Sequence, residues 1–343
     1  MIRFCNDYSE GCHPLILKAM ADANLEGNPG YSTDPHTQTA VQRIRTACAR
    51  PDAAVHILVG GTQTNTTAIA AFLRPWQAVI AVDTGHICVH ETGAIEAAGH
   101  KCIPCPNVDG KLTPDAIRTV MLAHHDGKEE HMVQPAMVYV SQTTELGTLY
   151  TLAELEALRR VCDEYGLIFY LDGARIGSAL AAGGPTLTQI AALADAFYIG
   201  GTKNGALMGE ALVICKESLK KDFRFAIKQR GGMFAKGWML GVQFEVLMEN
   251  DLLVQLARHA NQMSLRLRDG IAALGYGFTN HSETNQQFVI LPDEVVSALA
   301  GDFGFEVQGK PDANHTVIRL VTSWATQPES VEAFLTALKA LTV

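Results

Sequence analysis

No stretch of this 343-residue chain is apolar for long enough to span a bilayer, and no run of like charge marks a basic or acidic tail. Lysine and arginine total 27 against 36 aspartates and glutamates, a formal charge of −9, so the basic footprint that nucleic acid or an anionic membrane would demand is missing. Glycine (30) and proline (13) stay at an ordinary globular share, which excludes a collagenous or low-complexity chain. The first residues, Met1 to Asp7, carry an acid where a signal peptide would carry an apolar run, so we expect a cytoplasmic protein.

A disulfide framework is also lacking. The eight cysteines are scattered, mostly in apolar surroundings such as Val213-Ile214-Cys215, as buried free thiols would be. Cys102-Ile103-Pro104-Cys105 is the one C-x-x-C, without a second pair or a thioredoxin-type βαβ context. His86 and His90 have the i, i+4 spacing of zinc ligands on a helix, but Glu91 is misplaced for H-E-x-x-H, and no metal is expected. His124, His125 and His131 fall in a polar loop and read as solvated.

What is present is apolar content, 48% of the residues, enough for about two domains. Short β-rich runs alternate with helical patterns between residues 54 and 215. The runs are 54–59, 78–82, 101–104, 136–141, 167–171, 196–200 and 211–215, and the clearest helices cover 63–73, 114–125 and 152–165. Near-continuous apolar strands separated by helices predict a mostly parallel sheet covered on both faces. Beyond it, 235–274 reads as one or two long helices stopped at Gly275-Tyr276-Gly277. A strand at 287–291, a helix from Pro292, a strand at 316–322 and a helix at 327–341 follow. The expected architecture is α/β, a large domain over 1–250 and a small carboxyl-terminal α/β domain over 251–343.

Three features fall where strands end, the place where open α/β sheets bind ligands. The strand 55–59 runs into Gly60-Gly61-Thr62-Gln63-Thr64-Asn65 and a helix, which reads either as a phosphate cup or as a simple turn. The strand 167–171 delivers Asp172, followed by Gly173-Ala174-Arg175. A buried aspartate needs a cationic partner, either Arg175 or a protonated pyridine nitrogen. The strand 196–199 ends in Gly200-Gly201-Thr202-Lys203-Asn204-Gly205, where Lys203 is either a surface lysine or a desolvated nucleophilic amine. Taken together, a phosphate anchor, a pyridinium partner and an amine are the set that pyridoxal 5'-phosphate requires.

On these residues the chain resembles the low-specificity L-threonine aldolases, a β-eliminating lyase group of the fold-type I pyridoxal-phosphate superfamily. The family's T-G-T-Q-x-N appears as Gly60 to Asn65, which implies that Gly61 and Thr62 hold the cofactor phosphate. The family's histidine stacked on the ring would be His86, with Glu91 completing H-x-x-x-x-E. D-G-A-R is Asp172 to Arg175, implying Asp172 on the ring nitrogen and Arg175 near the ring oxygen. The lysine motif is Thr202-Lys203-Asn204, which makes Lys203 the Schiff-base residue and brings Thr202 to the cofactor. R-L-V-T is Arg319 to Thr322, implying that Arg319 binds the substrate carboxylate, helped by Asn6 at the family's S-D position.

One departure stands out. Where the commoner aldolases have E-N-T-H-N-G, this chain has Gln142-Thr143-Thr144-Glu145-Leu146-Gly147, so Glu145 replaces a histidine near the substrate hydroxyl. That is similar to a phenylserine aldolase-like branch. The resemblance implies cleavage of a β-hydroxy-α-amino acid, with His86, Glu145 or a water taking the hydroxyl proton. It leaves another lyase of the same fold, acting on tyrosine- or cysteine-like substrates, as the rival. It also implies a homodimer or homotetramer with its site at the subunit interface, where Tyr31, Arg230 and Lys236 would reach toward a neighbour.

Overall fold

A computed structural model describes residues 1–125, 127 and 129–342 of the chain. Its strands are β1 (Ile2–Arg3), β2 (Ala54–Leu58), β3 (Gln77–Val82), β4 (Cys102–Cys105), β5 (Gln134–Ser141), β6 (Ile168–Asp172), β7 (Ala196–Gly200), β8 (Glu210–Ile214), β9 (Gly277–Phe278), β10 (Gln286–Pro292), β11 (Phe303–Gly304), β12 (Glu306–Gly309) and β13 (His315–Val321). Strands β2 to β8 form one sheet in the spatial order β2-β8-β7-β6-β5-β3-β4. Neighbours pair in parallel except at β8, which runs antiparallel to both β2 and β7.

The continuous apolar strands are explained by burial on both faces. In β6, Phe169 and Leu171 enter one core cluster and Tyr170 the other, all without exposure. Each such side chain contributes about 1.5–3 kcal/mol of burial energy. Cys102 and Cys105 likewise enter opposite clusters, so the C-x-x-C cannot act as one site. Leu152–Tyr165 begins at a capping box of Thr151 and Glu154 and ends at Gly166 in the left-handed region, φ 66°. It packs Leu155, Leu158, Val161 and Cys162 against the sheet, and truncating Leu158 to alanine would cost about 2–5 kcal/mol.

The 235–274 segment resolves into two helices, Trp238–Leu247 and Leu252–Ala273, interrupted where Asn250 and Asp251 take φ of 50° and 56°. Two helices that the sequence reading did not place, Pro14–Asp22 and Pro35–Ala47, each start on a proline behind a capping side chain, His13 and Asp34. The second lies so close to Trp238–Leu247 that a Cβ on Gly241 would sit 2.6 Å from the Thr37 nitrogen.

The smaller sheet, β12-β13-β10-β9, is antiparallel and covers a core that includes Leu267, Val289, Ile318 and Phe334. The amino terminus joins this core. β1 pairs in parallel with β11, and the ring of Phe4 meets that of Phe334 edge-on at 5.7 Å. We therefore propose the division near residue 250 with one amendment, that residues 2–4 go with the carboxyl-terminal unit. Among the described residues no helix is long and apolar enough to cross a membrane.

Candidate active site

The carboxyl ends of β2, β3, β5, β6 and β7 open on one rim of the sheet. Because β8 runs the other way, its first residue, Glu210, is delivered to the same rim, opposite Leu58 on one side and Gly200 on the other. Between them lies a cavity of about 330 Å³ lined by Gly61, Thr62, His86, Glu145, Asp172, Arg175, Thr202 and Lys203, with Tyr8, Tyr198 and Glu210 among the others. Eight of the ten residues singled out from sequence are thus brought together. Asn6 and Arg319 do not line the cavity.

At one end Gly60 precedes the helix Gly61–Phe72, whose first turn has no capping side chain. The leading N–H groups of a helix have no partner within it, so this end offers donors to an anion. A Cβ at position 61 would come within 3.2 Å of the Tyr198 hydroxyl, a crowding that glycine avoids.

Asp172 is 4% exposed, and it is not paired with Arg175, one of the two partners considered from sequence. Four donors reach its oxygens instead: Tyr198 Oη at 2.5 Å, Tyr139 Oη at 2.6 Å, Asn65 Nδ2 at 3.0 Å and the Ala174 N–H at 3.0 Å. Burial, then the charge of Asp172, push both tyrosine hydroxyls well above their usual range, so they stay protonated donors. The tight turn after Asp172 is possible only because residue 173 is glycine, since a Cβ there would lie 1.9 Å from the Tyr198 carbonyl oxygen. Arg175 turns instead to Asp7, through Nε at 2.7 Å and Nη2 at 3.1 Å. Burial alone would raise the Asp7 carboxyl, but Arg175 and Lys203 outweigh it and hold it low.

Lys203 follows β7 in a turn fastened by Asn204, whose Nδ2 donates to the Gly200 carbonyl at 2.7 Å and the Ala174 carbonyl at 3.2 Å. Burial and then Arg175 lower the pKa of its amine, against Asp7, Asp172 and Glu210. Its Nζ stands 5.9 Å from the ring centre of Tyr8, and among the described residues no carboxylate lies within ion-pair distance of it. The amine is thereby favoured in the neutral, nucleophilic form.

On the opposite wall, Glu145 Oε1 accepts from Ser141 Oγ at 2.6 Å and from the His86 N–H at 2.9 Å, while Oε2 is buried without a partner. Burial raises its pKa, opposed by Ser141 and the His86 backbone. His86 Nδ1 pairs with Glu91 Oε1 at 2.8 Å, and Asn65 Nδ2 joins the same oxygen at 2.9 Å, so Asn65 ties the histidine arm to Asp172. Arg319, on β13, uses Nη2 on Glu306 at 2.5 Å and Nη1 on Gln286 at 3.4 Å, leaving Nε unpartnered. Asn6 accepts through Oδ1 from the Tyr8 N–H and Ser9 Oγ, each at 3.0 Å.

Arg230 lines an adjoining space with Thr62 and Gln63 of its own chain. Tyr31 is exposed with Lys228 Nζ 4.9 Å from its ring centre, and Lys236 shares a separate surface cleft with Trp238. Among the described residues no group of three or more His, Cys, Asp or Glu side chains is gathered to hold a metal ion. The sequence reading missed Asp7, Glu210 and the tyrosines of β5 and β7 as site residues. Asn65 stood in a motif without a role of its own.

Comparison with known proteins points the same way. A low-specificity L-threonine aldolase of Pseudomonas aeruginosa is 32% identical over 302 residues, spanning 87% of this chain and 86% of its own. The solved structure of a Leishmania major threonine aldolase matches with a TM-score of 0.98 and 46% identity over all of both chains. An aspartate aminotransferase of Thermus thermophilus, 17% identical, shares the fold with a TM-score of 0.73 over 99% of this chain and 91% of its own. The family model of the beta-eliminating lyases matches residues 7–294, and the chain belongs to that family.

Proposed function

We propose that this chain is a pyridoxal-phosphate-dependent aldolase that cleaves L-threonine, L-allo-threonine or a related β-hydroxy-α-amino acid to glycine and an aldehyde. The observation that carries the reading is one cavity holding an uncapped helix start, a buried aspartate without a cation, and a desolvated lysine without a carboxylate partner. Each lacks the charge or the acceptor that pyridoxal phosphate would bring, so the residues fit that group. When bound, it supplies an aldehyde carbon for an amine and a ring that takes up the electron pair left when Cα–Cβ breaks.

The protein's part follows from its own groups. Gly61, Thr62 and Thr202 would hold the phosphate. Asp172, kept in place by its four donors, would accept from the ring nitrogen, with His86 supporting the ring and Arg175 serving the ring oxygen. Lys203 provides the amine. Arg319 and Asn6 bind the substrate carboxylate, for which Arg319 has to leave Glu306. Glu145 takes the β-hydroxyl proton at Oε2, the oxygen without a partner, while Ser141 and the His86 N–H hold Oε1.

Borohydride reduction of the purified protein tests this directly. Before reduction the protein should be yellow and release glycine and aldehyde from L-threonine; borohydride should bleach it, stop turnover and leave the cofactor fixed on Lys203. A colourless protein overturns the reading, and ammonia with a keto acid would assign it to β-elimination. Exposed Tyr31, Leu207 and Phe234 support a homodimer or homotetramer, which light scattering would report as a mass two or four times that of the chain.

A further inference from the structure

We propose that His36 is a pH-sensitive clasp: as an imidazolium it bridges the carboxylates of Glu26 and Glu245 and fastens the segment 24–34 to the helix Trp238–Leu247, and on losing a proton it releases that segment.

His36 lies in the first turn of the helix Pro35–Ala47. Its Nδ1 is 2.6 Å from Glu245 Oε2, and its Nε2 is 2.7 Å from Glu26 Oε2. A neutral imidazole has one N–H and one bare nitrogen, and a carboxylate oxygen only accepts. A neutral ring would therefore serve one of these carboxylates and set a lone pair against the other. Both contacts hold at once when the ring carries two N–H groups. The proton belongs to the ring rather than to a carboxyl, because Glu26 is exposed and an ordinary glutamate ionises about two pH units below a histidine.

The segment depends on such a fastening. Between Ala23 and Asp34 no residue is buried, so this stretch has no share in the core. Tyr31 and Ser32 take φ of 61° and 60°, a left-handed backbone disfavoured in residues other than glycine. Polar tethers hold it in place. The Tyr31 N–H donates to the Ala235 carbonyl at 3.2 Å, and Arg224 Nη2 donates to the Tyr31 carbonyl at 3.1 Å. At the start of the segment Asn28 Nδ2 donates at 3.1 Å to the same Glu26 oxygen that His36 binds. A stretch with few buried contacts opens at low cost once a tether is lost.

The charged groups around the ring come from each element packed there. Glu26 belongs to the segment and Glu245 to the helix Trp238–Leu247. Behind Glu245, Arg43 donates to its carbonyl and pairs with Glu249 at 3.3 Å. Lys236 shares with Glu26, Gly27 and Asn28 a cleft of about 400 Å³ beside Trp238. Burial would lower the pKa of His36, but its hydrogen bonds to Glu26 and Glu245 outweigh that and raise it. The sign follows: the clasp is complete below the ordinary histidine value of about 6.5 and is lost as the pH rises through the raised one. Release removes one wall of the cleft.

Two measurements on the full chain test this. In protein labelled with ¹⁵N-histidine, the His36 signals, assigned by their loss in His36→Gln, should show both ring nitrogens protonated at about pH 7. Hydrogen exchange read by mass spectrometry, corrected for the intrinsic rate, should show protection of 24–34 falling about tenfold between about pH 6 and pH 9, the worth of a charge-assisted hydrogen bond discounted for exposure. Peptides from Leu152–Tyr165 should not follow it. His36→Gln should have low protection at both values. Glu26→Gln, a change at an exposed side chain, should move the midpoint of the His36 titration to lower pH, a shift that a merely structural role would not produce.

A His36 ring with one bare nitrogen at about pH 7 overturns the proposal, as does protection of 24–34 in His36→Gln equal to wild type throughout, or a titration that Glu26→Gln leaves in place. None of these readouts uses turnover, so the functional reading is tested separately.

Discussion

At the amino ends of the parallel strands, Arg159 meets Asp195 at 3.1 Å and Asp163 at 2.8 Å, and donates to the Leu167 carbonyl. Arg50 likewise holds Asp52 at 3.0 Å and the Ala191 and Cys215 carbonyls. At the carboxyl ends the accounts of donor and acceptor do not close. Among the described residues Lys203 has no carboxylate within ion-pair distance, and Glu91, Glu145 and Glu210 each keep one buried oxygen without a partner. Both ends carry charge, but one uses it to join elements and the other leaves it open to a ligand. An imbalance of this kind is costly in an empty protein and is a functional signal for that reason.

The comparison can be broken most forcefully at Lys203. Lys203→Ala should lower turnover by about a thousandfold or more and abolish borohydride trapping, with the fold retained by circular dichroism. Asp172→Asn should reduce turnover by about 100-fold while the cofactor stays trapped on Lys203, since a charge-assisted hydrogen bond is removed but the amine is not.

Glu145→Gln sharpens the question of the proton. Its pKa is raised by burial, so in the wild type the carboxylate, the form that accepts a proton, is lost as the pH falls through that raised value. Turnover should therefore decline on the acid side, and Glu145→Gln should lower it by about 100-fold and flatten that limb in a pH–rate profile.

At the opposite end of the sheet the expected effects are on stability. Arg159→Ala leaves Asp195 and the Leu167 carbonyl unserved, and denaturant unfolding should show a loss of about 1–3 kcal/mol with the cofactor spectrum unchanged. Smallest is Lys18→Ala, which removes an exposed pair with Asp22 and should leave the melting midpoint where it was.

Much of this was legible because the information is local. Apolar runs gave seven strands to within two residues at either end, and Leu152–Tyr165 declares itself by its capping box and Gly166. Gly61, Asp172 and Lys203 could be singled out because each ends an apolar strand or follows one within three residues, where a turn or a buried charge needs a reason. Pro14–Asp22 and Pro35–Ala47 escaped notice. Their buried residues are few, Ile16 in the first and Thr37, Ala40 and Ile44 in the second, so no strong stripe shows.

The partners of the site residues were not legible, because they come from pairings across most of the chain. Sequence offered Arg175 to Asp172, three residues away; the fold gave it to Asp7, carried in by the β1–β11 pairing. Glu210 directly precedes the apolar run 211–215, and only the antiparallel direction of β8 turns it toward the cavity. Residue types along the chain determined which local elements form and which side chains are chemically able to act. Strand direction and long-range packing decided which of them meet, since hydrogen-bond ladders and core burial are satisfied between segments that the linear order keeps apart.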